Sequence, residues 1–161
     1  MKIAVSGSHG CGKTKLINEL FKQANGNKVI LPEIARECPL PINQKQTLES
    51  SLWMFHNQMR LELEYGYLYD TIICDRSIVD SIAYSLCIHG EHKYLKHIKE
   101  FTRDWLPTYN KIYFLTIKNN NYFIDDGIRD MDPIFRQKIE DKMLELYKEF
   151  NYNINTKMKT L

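Results

Sequence analysis

KIAVSGSHGCGKTKLINELFKQA, residues 2–24, decides how the rest of the chain is read. Ile3, Ala4 and Val5 form an apolar run of strand length, and Leu16, Ile17, Leu20 and Phe21 recur at helical spacing. Between them, Gly7-Ser-His-Gly-Cys-Gly-Lys13-Thr14 satisfies G-x-x-x-x-G-K-[ST] in the strand-to-helix setting that gives this pattern its meaning. Gly7, Gly10 and Gly12 permit a tight turn in which backbone N–H groups converge on phosphate oxygens at a helix N-terminus. Ser8, His9, Cys11 and Lys15 complete the cradle. Lys13 brings a positive charge toward the outer phosphates, and the Thr14 hydroxyl suits Mg²⁺. A glycine-rich turn with an incidental lysine does not account for all these fixed positions together. The pattern implies a nucleoside triphosphate ligand.

Downstream, Lys28–Leu31 is a second strand candidate closed by Pro32. Glu33-Ile-Ala-Arg36 follows where such a strand would end, the edge that faces ligands in open α/β sheets. Glu33 and Arg36 make either a solvated loop ion pair or an acceptor-side pair. Residues 43–66 carry a helical pattern of Leu48, Leu52, Phe55, Met59 and Leu63, with Gly66 as its stop. Trp53 and Phe55 cannot both lie on that stripe, so one aromatic is expected on the substrate side, with Arg60 nearby.

Asp70–Asp75 is the clearest buried strand, and its terminal Asp75 stands at a Walker-B-like position. Arg76 follows at once, and Ser77 is a suitable N-cap for the next helix. Two charges at a sheet's ligand edge call for partners there. Asp75 suits a Mg²⁺-bound water and Arg76 a phosphate or reacting oxygen. Residues 91–106 read as an aromatic-rich helix offering a face for a homodimer, and Lys111–Ile117 as a fourth strand. The polar, turn-rich segment 118–132 reads as a lid carrying Arg129, or as a surface loop whose acids neutralise its arginines. A helix runs from Pro133 to about Phe150, and Tyr152–Asn155 offers a fifth strand.

This alternation predicts one α/β domain over residues 1–161, a three-layer sandwich around a parallel sheet of about five strands. A net charge of +2 gives no electrostatic footprint for nucleic acid. Four cysteines without C-x-x-C spacing give no zinc pattern and suggest free thiols in a reducing compartment. No apolar run reaches membrane-spanning length, so a cytoplasmic protein is expected.

The chain resembles the P-loop nucleoside and nucleotide kinases over essentially its whole length. Asp75-Arg-Ser-Ile-Val-Asp-Ser-Ile-Ala-Tyr84 resembles a segment of thymidylate kinases. Pro32-Glu-Ile-Ala-Arg36 and Asp125-Asp-Gly-Ile-Arg129 are similar to segments of nicotinamide riboside kinase domains and the AAA-type ATP-binding proteins grouped with them. His9 and Cys11 depart from the acidic loop residue of many thymidylate kinases. The resemblance implies transfer of a phosphoryl group from ATP, with Mg²⁺, to a nucleoside or its monophosphate. By position it implies that Gly10, Gly12, Lys13 and Thr14 hold ATP and the metal. Asp75 and Arg76 would then sit at the reacting centre, Arg129 would come from the lid, and Glu33 would be the acceptor-side carboxylate. Arg36, Arg60 and Arg76 are the arginines expected at the acceptor, which favours a monophosphate. A nucleoside acceptor with Glu33 or Asp75 as base is the close alternative. A kinase acting on a base or 5′ end in DNA ranks below these, and a P-loop ATPase or GTPase switch ranks last.

Overall fold

The computed structural model describes residues 1–117 and 132–156. Strands β1 (Lys2–Ser6), β2 (Lys28–Leu31), β3 (Thr71–Asp75), β4 (Lys111–Phe114) and β5 (Asn155–Thr156) form one sheet in the order β2-β3-β1-β4-β5. All four pairings are parallel. The carboxyl ends of β1 and β3 are adjacent, with Val5 registered against Asp75.

Alternation along the strands divides the core between the two faces. Val5 and Ile73 pack with Leu16 and Ile17 of α1 (Lys13–Gln23), beside Leu115. Ala4, Ile72, Cys74, Ile112 and Phe114 face the opposite layer. That layer holds α2 (Leu48–Leu68), α3 (Ile78–His89) and α5 (Pro133–Glu149). Helix α4 (Lys93–Trp105) packs on α3. The expected three-layer parallel α/β fold is therefore present.

Several local expectations are revised. Helix α2 starts after Thr47, whose hydroxyl forms a capping box with Ser50, while Asn43–Lys45 is a separate 3-10 turn. Gly66 lies inside the helix, not at its end. The buried face of α2 is Ser50, Ser51, Met54, Phe55, Gln58, Leu61 and Glu62, and Leu63 is 58% exposed. The predicted stripe is thus rotated, because the interior side carries polar residues. Glu62 is fully buried and accepts Lys2 Nζ at 2.7 Å, Trp105 Nε1 at 2.9 Å, Tyr109 Oη at 2.5 Å and Gln58 Nε2 at 2.9 Å. Pairing and full hydrogen bonding make its burial tolerable. Strand β4 ends at Phe114, short of the expected Ile117, whose N–H donates to Glu140 at 2.8 Å. The aromatic side of α4 turns partly inward, with Phe101 edge-on to Phe55 and stacked on Trp105.

Candidate active site

The glycine loop joins β1 to α1 through left-handed backbone at Gly7, Gly10 and Gly12, with φ of 136°, 71° and 89°. No side chain caps α1, so its first-turn N–H groups stay open to the loop, where Thr14 and Lys15 are exposed. Ser8 and His9 are buried, and Gly10, Cys11 and Gly12 are partly exposed. Lys13 Nζ donates to the carbonyls of Gly7 at 3.1 Å and Ser8 at 2.8 Å, and lies 4.0 Å from Cys11 Sγ. The ammonium is thereby folded over the loop itself. Ser8 Oγ reaches Glu140 at 3.4 Å, tying the loop to α5.

Asp75, at the end of β3, has an Oδ1 sealed from solvent and without a hydrogen-bond partner among the described residues. Burial raises its carboxyl above the usual range, opposed by Lys13 and Arg76. An uncompensated buried carboxylate oxygen, an exposed threonine hydroxyl and an open helix N-terminus fit a triphosphate with its Mg²⁺. Thr14 and Asp75 are the residues that would hold the metal.

Arg76 is next in sequence, with φ of 95°. Left-handed backbone in a residue this large stores about 1–3 kcal/mol. Its N–H donates to Val5 O at 3.1 Å, and its carbonyl receives Gln58 Nε2 at 3.4 Å. The guanidinium contacts Glu33 Oε1 through both Nε and Nη2 at 2.6 Å, while Nη1 meets Gly7 O at 3.2 Å and Asp80 Oδ1 at 3.4 Å. The Tyr84 ring lies 5.4 Å from the guanidinium carbon. Burial alone would raise the Glu33 carboxyl, but Arg76, with help from Lys13 and Arg36, outweighs it and holds the group at about 2.

Asp80 has no solvent exposure and was not among the expected site residues. Its Oδ2 accepts from Ser6 Oγ at 2.7 Å, Ser77 N at 3.0 Å and Ser77 Oγ at 2.8 Å, and its Oδ1 accepts from Gly7 N at 3.3 Å. It therefore locks α3, Arg76 and the start of the glycine loop together. The S-x-x-D spacing of Ser77 and Asp80 is the signal for it. Tyr84, likewise missed, bonds His9 Nδ1 at 2.9 Å, linking loop to pocket.

A pocket of about 500 Å³, counting its open mouth, lies beside Arg76. Glu33, Arg76, Asp80 and Tyr84 supply polar lining, Gln46, Gln58 and Asn43 amides, and Ile34, Ala35, Ile42 and Met54 apolar surface. Other expected acceptor residues lie elsewhere. Phe55 is 4% exposed within the core, and Trp53 packs partly buried against that same core. Arg60 points to solvent and grips Glu64 at 2.8 Å, because its turn of α2 faces outward. Arg36 adjoins the pocket through Glu33 Oε2 at 3.1 Å without lining it. Arg129 and nearly all of the lid segment 118–132 fall outside the described residues; Asp132 caps α5.

A glycine loop with its lysine, an acid-ended neighbouring strand and a pocket at the carboxyl ends of a parallel sheet define a P-loop nucleotide-binding domain. The chain belongs to the AAA domain family, whose profile matches residues 2–159. No curated protein sequence matches it. Among solved structures, deoxyadenosine kinase from M. mycoides with bound dATP superposes with a TM-score of 0.70 at 15% identity, covering 100% of this chain and 92% of that one. Thymidylate kinase from Candida albicans superposes with a TM-score of 0.65 at 21% identity, covering 96% and 82%. Thymidylate kinase from Ehrlichia chaffeensis gives 0.65 at 17% identity, covering 100% and 89%. At these identities the likeness is one of fold, that of the P-loop nucleoside and nucleotide kinases.

Proposed function

We propose that the protein transfers the γ-phosphoryl group of Mg²⁺-bound ATP to a hydroxyl of a nucleoside. The observation that carries this is the charge balance of the pocket. Among the described lining residues Arg76 is the one cation, and Glu33 and Asp80 both hold it. A monophosphate dianion entering there would meet two carboxylates against one committed guanidinium. A neutral nucleoside meets instead an apolar wall, amides, and a carboxylate within reach of a hydroxyl.

Glu33 is the acceptor-side base in this reading. At about 2 its carboxyl is too acidic to take a proton efficiently while Arg76 grips it. Once Arg76 turns part of its charge to the transferring phosphoryl group, Glu33 becomes more basic at the moment the hydroxyl loses its proton. Lys13 stabilises charge on the transferred group, and ATP and Mg²⁺ supply the phosphoryl group and its neutralisation.

Arg36 favours a second reading, a (deoxy)nucleoside monophosphate acceptor. Its guanidinium lies beside the pocket, 3.1 Å from Glu33 Oε2 and 37% exposed, so a phosphate bound in the pocket would have a second cation nearby. Incubation with Mg²⁺-ATP and matched nucleosides and monophosphates separates the two. Phosphorylation of nucleosides supports the first reading, and phosphorylation of monophosphates alone supports the second.

A further inference from the structure

Arg76 keeps its left-handed backbone, at φ 95°, although it carries a full side chain. Such a conformation persists only where the surroundings hold it. Two bonds from distant elements do so. The Arg76 carbonyl accepts from Gln58 Nε2 at 3.4 Å, and the N–H of Ile78, two residues on, donates to Tyr109 Oη at 3.1 Å. One carboxylate sets both partners. Glu62 Oε1 accepts from the Gln58 amide at 2.9 Å and from the Tyr109 hydroxyl at 2.5 Å, while its Oε2 accepts from Lys2 and Trp105. With four donors around it, Glu62 acts as an acceptor only. It therefore draws the Gln58 NH₂ group toward itself and takes the Tyr109 proton, which leaves the phenol oxygen to receive the Ile78 N–H. The consequence for the guanidinium is geometric. The Arg76 N–H is tied to Val5 O at 3.1 Å. With that nitrogen fixed, a rotation of φ toward the usual negative range swings the carbonyl and the side chain together. Holding the carbonyl thus holds the side chain, whose Nε and Nη2 meet Glu33 and whose Nη1 meets Gly7 O.

We infer that Glu62 is a positioning residue for phosphoryl transfer: through Gln58 and Tyr109 it holds the left-handed turn at Arg76, and so keeps the guanidinium between the glycine loop and Glu33. Glu62 is fully buried and lines no part of the pocket, so its effect reaches the reaction only through Arg76. The kinetic consequence rests on the proposed phosphoryl transfer, whereas the hold on the turn does not.

The test uses the full chain with Glu62→Gln and Tyr109→Phe, and has two readouts. The first needs no activity. In ¹⁵N-labelled protein, solvent exchange of the Arg76 Nε–H, assigned by its loss in Arg76→Ala, is compared with exchange of the Ile73 amide in the central sheet. Both variants should speed the Arg76 exchange by about tenfold or more relative to Ile73. A Glu62 that only stabilises the fold would speed both sites together and leave their ratio unchanged. The second readout is kcat for transfer from Mg²⁺-ATP. Each variant should lose about tenfold to a hundredfold, and Tyr109→Phe added to Arg76→Ala should lose nothing further, because no guanidinium remains to be aimed. Where Glu62→Gln does not fold, Tyr109→Phe carries the test, since it leaves the ring in place and Glu62 three donors. An unchanged exchange ratio in folded Tyr109→Phe overturns the inference, as does an undiminished loss of kcat when Tyr109→Phe is added to Arg76→Ala. A wild type that phosphorylates no nucleoside or monophosphate overturns the kinase reading instead, and the exchange ratio then decides the hold on Arg76 by itself.

Discussion

Arg76 reaches from the turn after β3 to the turn after β2, where its Nε and Nη2 both meet Glu33 Oε1 at 2.6 Å. The same guanidinium touches the glycine loop at Gly7 O and lines the pocket, so one side chain joins the two. Its left-handed backbone is what aims it between them.

The Glu33–Arg76 pair predicts a specific acid sensitivity. The folded-state carboxyl is held at about 2, below its ordinary 4.5, so its stabilisation is present above 4.5 and is lost as pH falls toward 2. The amount is of order 3 kcal/mol. Urea titrations in steps downward from about pH 5 check this. Wild type should lose stability more steeply than Glu33→Gln over that range, and parallel profiles would contradict the pairing.

Lys13→Ala should lower kcat by about a hundredfold or more, since the variant loses the loop cation assigned to charge developing on the transferred phosphoryl. The protein should stay folded, because among the described residues the ammonium's hydrogen-bond partners all lie in its own loop. Circular dichroism beside a steady-state assay decides it; a folded variant with more than about a tenth of wild-type kcat would contradict the role.

Gly7 and Gly90 both have positive φ, at 136° and 68°, but a Cβ at Gly7 would lie 2.4 Å from Leu115 O while one at Gly90 meets nothing within 4 Å. Gly7→Ala should therefore cost about 2–4 kcal/mol and Gly90→Ala about 1 kcal/mol. Thermal melts should show Gly7→Ala falling several degrees further than Gly90→Ala. Equal shifts would mean the loop relaxes away from Leu115.

Removal of divalent metal should abolish transfer, and Mg²⁺ or Mn²⁺ should restore it through Thr14 and Asp75, an oxygen-ligand set. No group of three His, Cys, Asp or Glu side chains suited to a metal occurs among the described residues. Asp75→Asn should raise the Mg²⁺ concentration needed for half-maximal rate; rescue by Zn²⁺ alone would contradict the site.

The glycine loop and the Asp75-Arg76 pair were legible because a motif and a strand period each fix them locally. The parallel sheet and its layering followed from the alternation of elements, whereas the strand order did not. The inner face of α2 was not legible, since nothing local marks Gln58 and Glu62 as buried: Lys2, Trp105 and Tyr109 arrive from distant segments to satisfy Glu62, which in turn accepts from Gln58. Phe55 stays on the core side with its predicted stripe, while Arg60 faces solvent. Nothing in the sequence marks the positive φ of Arg76, because residues of its type rarely adopt it. Asp80 carried a local signal in its spacing from Ser77, but its bonds to Ser6 and Gly7 exist only once β1 and α3 meet.

The central claim is phosphoryl transfer to an uncharged acceptor, and γ-labelled ATP with Mg²⁺ tests it most directly against a panel of nucleosides and their monophosphates. The account predicts label on nucleosides, with Glu33→Gln collapsing kcat and Arg36→Ala or Arg60→Ala leaving acceptor KM near wild type. Label on monophosphates alone, with acceptor KM raised about tenfold to a hundredfold by Arg36→Ala, would contradict it.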